Sequence, residues 1–597
     1  MTLEETFKQA EQLRKAGDLG RAESLCLEII QAVPQHGDAL HTMSLLANQT
    51  GRRAEALDYV GRAIIADPRK ASYHLTLGNL LRIRGDLVGS LACFEEAFRL
   101  QPDHAIAVNN IGGVLLAFGR YEEAVTALQK ATELNPRYAA AHANLGVALR
   151  HQGRIEEAAQ AYARALELTP HNRDFRSKSL LCEQYRVTND AAALACAHAK
   201  WEQHIAAPLR STWREHQNNP HPDRPLRLGV VSADFYVHPV GGLSIRGLEA
   251  LDRSEFSLHF YSMTQTNDHI TERFRNLGKW HDIRGKSDEA VAEKIRLDQI
   301  DILIDMSGHT RGNRLLVFAR KPAPIQIAWL GSEGTLGLAA FDWLIADEFV
   351  IPVEEDRHYS ERILRLPNGY VSFDPGEYSL PISPLPMETN GYVTFGSFSN
   401  PAKLNSGVID LWSRALRQLP ESRLLLKYRG FDDVGTRDRF VRQFVAAGVH
   451  PEQLLFAGWS SYYDMLKTYG QVDLALDTFP FSGSATTLNA LWMGVPVVTL
   501  VGSTFAGRHG YSHLKHIGRP EFVTHNTADY LSLVLDLARD PRKLATYRAT
   551  LRQELWNTLC EGGRLGADLG VALRRAWREW CAGARATETT ELEQHSI

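Results

Sequence analysis

The residues of this sequence that could do chemistry gather where short apolar runs give way to small and polar side chains. In LDTFPFSGSATTLNALWMGVPVVTL (476–500), a strand-like run opens into a loop holding Gly483, Ser484, Thr486 and Thr487. A helical window carrying Asn489 follows and stops at Gly494. Such a strand-to-helix turn collects free backbone N–H groups and the positive end of a helix dipole, a setting that suits a diphosphate. One threonine cap would account for one hydroxyl without a ligand; three hydroxyls exceed that need.

Two further stretches have the same character. In FGSFSNPAKLN (395–405), Asn400 and Lys403 stand just past a strand, where the ammonium could neutralise a departing diphosphate. The plain alternative is a solvated lysine at a helix start. In VSADFYVHPVGG (231–242), His238 follows a strand, and Gly241 and Gly242 would let backbone approach a ligand. A histidine there suits general-base work or hydrogen bonding to substrate, and a purely structural loop histidine is the alternative. His309 and Thr310, in IDMSGHTRGN, are candidates for the sugar or acceptor side. No Asp-x-Asp triplet occurs, so the usual carboxylate clip for a divalent ion on a sugar diphosphate is missing. The expectation is therefore no metal and no cofactor, with Lys403 and the helix mouth carrying the charge.

The elements that must position these groups alternate between strand and helix. LRLGVVSADF, FSLHFYSM, IDILIDMSG, IQIAWLG and FDWLIADEFV are short apolar runs separated by helical windows such as DEAVAEKIRLD. A Pro-, Gly- and Ser-rich hinge follows at 372–391, and the alternation restarts with GYVTFGSF, SRLLLKYRG, QLLFAGW, VDLALDTF and VPVVTLVG. Such alternation predicts parallel, doubly wound sheets. Two of them describe the GT-B architecture of glycosyltransferases, with ligands expected at the carboxyl ends of the strands.

The first third is a repeat. Gly17, Gly51, Gly85, Gly119 and Gly153 are each 34 residues apart, as are Pro34, Pro68, Pro102, Pro136 and Pro170. Ala22, Ala56, Ser90, Ala124 and Ala158 keep the same step. This is the tetratricopeptide pattern of paired helices. Thr42, Thr76, Asn110 and Asn144 fall on the expected inner face, where side-chain amides could grip an extended peptide. Tolerated polar positions are the alternative, and repeats alone would also suit an adaptor with no chemistry. The boundaries expected are repeats at 1–175, capping helices and linker at 176–222, catalytic halves at 223–385 and 386–580, and a flexible tail at 581–597.

At 597 residues the chain needs several domains, and 44% hydrophobic with 23% charged residues fits an ordinary water-soluble protein. A net charge of −4 argues against nucleic acid or an anionic membrane as partner. The amino terminus lacks a signal-peptide core, and the six cysteines form no Cys-x-x-Cys. A reduced, cytoplasmic location is expected.

Taken together, VSADFYVHP, KPAPIQIAWLGSEGT, FGSFSNPAKL and LDTFPFSGSATTLNALWMGVPVVTL resemble motifs of the O-GlcNAc transferase/SPINDLY family, in a bacterial-type member. The resemblance runs from about residue 5 to 560. It implies an α-helical tetratricopeptide superhelix followed by an α/β GT-B region of two Rossmann-like domains. It also implies an inverting protein O-glycosyltransferase acting on Ser or Thr of a protein acceptor, flagellin being one candidate. By that resemblance Lys403 contacts the donor diphosphate, Asn400 sits beside it, and His238 lies on the acceptor side. The loop departs from the family's Asn-Gly-His-Thr-Thr: here Ser484 stands for the histidine. Asn489 stands for the ribose-binding carboxylate, and Phe505-Ala506-Gly507-Arg508 for Phe-Ala-Ser-Arg, with Arg508 retained on the donor side. UDP-GlcNAc is the default donor; GDP-fucose or a CMP-linked sugar is the alternative.

Overall fold

The protein is described by a computed structural model covering residues 2–376 and 380–594, with side chains to 583. It divides into two compact units. One comprises residues 1–152 and 163–169, the other 153–162 and 170–597.

The first unit is built from paired helices, beginning Leu3–Ala16 with Leu19–Ala32 and Gly37–Gln49 with Arg53–Ala66. Gly17, Gly51, Gly85 and Gly119 all have φ between 76° and 89°, the left-handed backbone that stops the first helix of each pair. Ala22, Ala56, Ser90 and Ala124 are fully buried, because a larger side chain would hold paired helices apart. Gly78 and Gly112 serve the same end: a Cβ at Gly112 would lie 2.5 Å from Leu128 Cγ. Each repeat proline follows its helix by two residues, as in Leu100 and Pro102.

The second unit holds two parallel sheets. The first contains β1 (Leu226–Ser232), β2 (Phe256–Ser262), β3 (Lys279–Asp282), β4 (Ile302–Asp305), β5 (Ile325–Ala328), β6 (Trp343–Ala346) and β7 (Arg362–Arg365). Their order is β3-β2-β1-β4-β5-β6-β7, which reverses direction between β1 and β4. The second contains β8 (Thr394–Ser397), β9 (Arg423–Lys427), β10 (Leu454–Ala457), β11 (Leu474–Leu476), β12 (Val497–Leu500) and β13 (Val523–Thr524). The order β10-β9-β8-β11-β12-β13 reverses between β8 and β11. Both are doubly wound sheets, and ligands belong at such reversals. The central strands β1, β4, β5, β8, β11 and β12 are almost wholly buried, which explains their unbroken apolar runs.

Three boundaries differ from the sequence expectation. The helices Arg173–Glu183 and Ala191–Trp201, expected as caps on the repeats, place Leu180 and Trp201 in the same hydrophobic core as the two sheets. The last helix, which starts at Gly562, lies on the first sheet's side, against the expectation that 386–580 forms the second half. Its stripe Leu565, Leu569, Leu573 and Trp577 packs there, and Gly247 of helix Pro239–Glu249 makes room for Leu565. The tail expected at 581–597 continues this helix to Gln594; residues 595–597 and the side chains beyond 583 lie outside the described residues. Among the described residues no helix is long and apolar enough to cross a membrane.

Candidate functional site

A cleft of about 620 Å³ lies where the carboxyl ends of the two sheets face each other. On the first-half wall stand Tyr236, His238, Gly242 and His269; on the other stand Lys427, Trp459, Tyr462, Thr486 and Asn489.

The loop after β11 is shaped by one buried carboxylate. Asp477 accepts from the Gly483 N–H at 2.6 Å, the Thr478 N–H at 2.9 Å and the Thr499 hydroxyl at 2.7 Å. This folds the loop back onto the helix Ala485–Trp492, for which Ser484 is the N-cap residue without a side-chain capping bond. The Thr487 hydroxyl turns back to the Gly483 carbonyl at 3.0 Å. The helix mouth therefore keeps unclaimed N–H groups, while Thr486 faces the cleft. Asn489 accepts from the Tyr462 hydroxyl at 2.8 Å.

Lys403 reaches the same loop from the other side. Its Nζ donates to the Ser482 carbonyl at 2.7 Å and lies 3.8 Å from the Phe481 ring centroid. Desolvation lowers its pKa from 10.5 to about 8, against the opposing pull of Asp477 and Glu333. Asn400 caps its own turn by accepting from the Ala402 N–H at 3.0 Å.

On the facing wall, His238 caps the helix Pro239–Glu249, its Nδ1 accepting from the Val240 N–H at 3.3 Å. Burial lowers its pKa, partly opposed by Asp234, whose carboxylate is 3.9 Å away. With Nδ1 occupied as an acceptor, the proton of the neutral ring sits on Nε2, which becomes a donor.

A partly buried chain of polar groups joins the two halves beneath the loop. Glu333 Oε2 lies 2.7 Å from His509 Nε2, and His509 Nδ1 lies 2.6 Å from the Tyr370 hydroxyl. The Tyr370 ring stacks on His513, 6.1 Å between centroids, and His513 Nε2 is 3.1 Å from Ser484 Oγ. Ser484 thus answers to this chain.

Several sequence candidates are placed elsewhere. His309 is half-buried, its Nδ1 3.1 Å from Ser177 Oγ and its ring packed on His198 and Trp201. Thr310 closes a turn by donating to the Ser307 carbonyl at 2.6 Å. Neither lines the cleft, because the His309 ring packs against the helix Ala191–Trp201 and the Thr310 hydroxyl is spent on its own turn. Gly241 is required by packing, not by a ligand: a Cβ there would lie 2.3 Å from the Tyr236 carbonyl oxygen. Arg508 donates to the Gly502 carbonyl at 2.9 Å, bracing a loop away from the cleft. In the repeats, Thr42 is buried and donates to Glu11 at 2.8 Å, so it presents nothing to a peptide. Thr76 Oγ1 lies 2.8 Å from His41 Nε2. Asn144 donates to Asn109 at 3.0 Å and Asn109 to Asn110 at 3.3 Å, a half-buried amide ladder.

The cleft residues Lys427, Trp459 and Tyr462 escaped sequence reasoning. KYRG and FAGWSSYY end β9 and β10, so the rule that ligands lie past strand ends would have pointed to them.

The glycosyl transferase family 41 model matches residues 185–377 and 385–562, and tetratricopeptide models match 70–137 and 114–173. The chain belongs to glycosyl transferase family 41. Among family relatives, a Petunia hybrida protein described as a probable UDP-N-acetylglucosamine–peptide N-acetylglucosaminyltransferase SPINDLY is 33% identical over 437 residues, 71% of this chain and 47% of the relative. A similarly described SEC protein of Arabidopsis thaliana is 28% identical, over 62% of this chain and 39% of the relative. The chain thus spans about half the length, or less, of the curated relatives it matches. A Thermobaculum terrenum O-GlcNAc transferase, solved as a lysine-to-methionine mutant, superposes with TM-score 0.80 at 34% identity, covering 86% of this chain and 98% of that one. Family 41 membership and this likeness confirm the tetratricopeptide and GT-B architecture expected from sequence.

Proposed function

We propose that this family 41 member is an inverting protein O-glycosyltransferase that moves a sugar from a nucleoside diphosphate to a Ser or Thr hydroxyl. The carrying observation is Lys403, desolvated against Phe481 and fixed at the loop whose helix mouth keeps free N–H groups. There it meets the charge that develops on a leaving diphosphate. In the reaction the acceptor oxygen bonds to the anomeric carbon, the bond from that carbon to the diphosphate oxygen breaks, and the hydroxyl proton passes to an oxygen of the leaving diphosphate or to water. His238, with its proton on Nε2, suits donation to a substrate oxygen better than removal of that proton. The repeats recruit the acceptor protein, with Asn110 and Asn144 as the backbone-gripping pair.

The relatives' descriptions support UDP-GlcNAc as donor. Asn489, neutral and already bonded to Tyr462, supports a second reading in which the nucleotide differs, GDP-fucose or a CMP-linked sugar being the alternatives. Transfer to protein should be measured with each of these donors, before and after treatment with a chelator. Turnover with one donor, unchanged by chelation, is the expected result; no turnover with any donor would leave a tetratricopeptide adaptor. Loss on chelation that magnesium or manganese, but not zinc, restores would contradict charge neutralisation by Lys403 alone.

A further inference from the structure

Away from the cleft, three elements of the first sheet bring lone pairs together. His259 on β2 and His281 on β3 lie on one sheet face, since His281 pairs with Tyr261, two residues beyond His259. Asp298, at the end of helix Asp288–Leu297, covers that face. His281 Nε2 is 3.5 Å from His259 Nδ1 and 3.8 Å from Asp298 Oδ2, and the three ligand atoms all lie within 4.8 Å of one another. We propose that His259, His281 and Asp298 form a binding site for a late first-row divalent cation, zinc in the first instance, with water as fourth ligand.

The geometry suits that ion. Two nitrogens bound tetrahedrally at about 2.0–2.1 Å from zinc are separated by about 3.4 Å. The protonation states suit it too. Burial lowers His259 from 6.5 to about 4 and also lowers His281, so both rings are neutral ligands at neutral pH. Burial would raise Asp298, but the Lys294 ammonium and the Tyr261 hydroxyl outweigh it and keep the carboxylate ionised. Tyr261 orients two of the three ligands at once. It donates to Asp298 Oδ2 at 2.7 Å and stacks on the His281 ring, 4.7 Å between centroids and 15° from parallel.

The surroundings decide which ion. Lys279, Lys286, Lys294 and Arg227 act on these histidines, and only one carboxylate is supplied. Magnesium and calcium, which need several oxygen ligands, are disfavoured, whereas imidazole-seeking ions tolerate that field. An ion here would fasten the short edge strand β3 to β2 and to the helix above it.

The test uses the full-length, untagged protein stripped of metal by a chelator. Titration with Co²⁺ should give the visible spectrum of a tetrahedral nitrogen–oxygen site saturating at one equivalent, and Zn²⁺ should displace it. His281→Ala and Asp298→Asn, shown folded by circular dichroism, should lose that spectrum, and Tyr261→Phe should weaken binding by about 10- to 100-fold. Absence of a one-equivalent site in the parent protein, or a spectrum unchanged in His281→Ala, would overturn the proposal. Calcium or magnesium binding at the site with preference over zinc would also overturn it.

Discussion

Lys403 concentrates the electrostatics of the site in one residue. Removing one preorganised charge contact to a leaving group typically costs about 10²- to 10³-fold in kcat, so Lys403→Ala should lower turnover by about a hundredfold; unchanged turnover would remove it from the mechanism. Because desolvation holds its pKa to about 8, the free enzyme loses the ammonium as pH rises through that value. kcat/KM for the donor should therefore fall above about pH 8, and Lys403→Arg should move that limb upward, since guanidinium stays charged. The same depression has the opposite sign for stability. Between about 8 and 10.5 the unfolded chain binds the extra proton, so this residue's contribution worsens as pH drops through that window and is constant below it. That Thr486 faces the cleft and Lys403 lies against its loop was legible because a charged or hydroxyl side chain after an apolar run has few structural reasons to be there. The loss of His309 and Arg508 from the candidate set has one cause. A residue's place past a strand end does not say which way the next loop turns.

At the scale of elements, periodicity made the repeats and the central strands readable. Position by position, the turn glycines needed left-handed φ and the paired helices needed Ala22 or Ser90. The strands that escaped were β3, β7 and β13. They read KWHD, RILR and VT, half-exposed and at the sheet edges, where an apolar run is not required. Neighbouring glycines of one repeat helix offer a paired test. Gly112→Val drives a branched side chain into buried Leu128 and should lower stability by about 1–3 kcal/mol. Gly113→Ala enters open space and should raise it by about 1 kcal/mol. Thermal unfolding of the two variants should shift in opposite directions; a parallel shift would mean that the helices adjust their spacing.

At the scale of the whole molecule, the last helix was the element sequence order misplaced. Nothing in the local pattern of Leu565, Leu569 and Trp577 says that its apolar stripe belongs to a sheet begun more than 300 residues earlier. Trp577 is fully buried, donates to the His221 carbonyl at 3.1 Å, and has the Arg224 guanidinium 4.6 Å from its ring centroid. Trp577→Ala should cost about 3–5 kcal/mol, seen as a lowered Tm. If Tm were unchanged, the helix would be an accessory and not part of the first half's core.

That returning helix also sets the mechanics of the cleft. The polypeptide crosses from one half to the other after β7 and crosses back before Gly562, where even a Cβ would lie 2.6 Å from the Arg246 carbonyl oxygen. Two bodies joined by one strand can swivel freely; joined by two, they behave like a door hung on two pins. Opening of the halves, were it to occur, would be confined to the line through the two crossings. That would keep the walls carrying Lys403 and His238 in register.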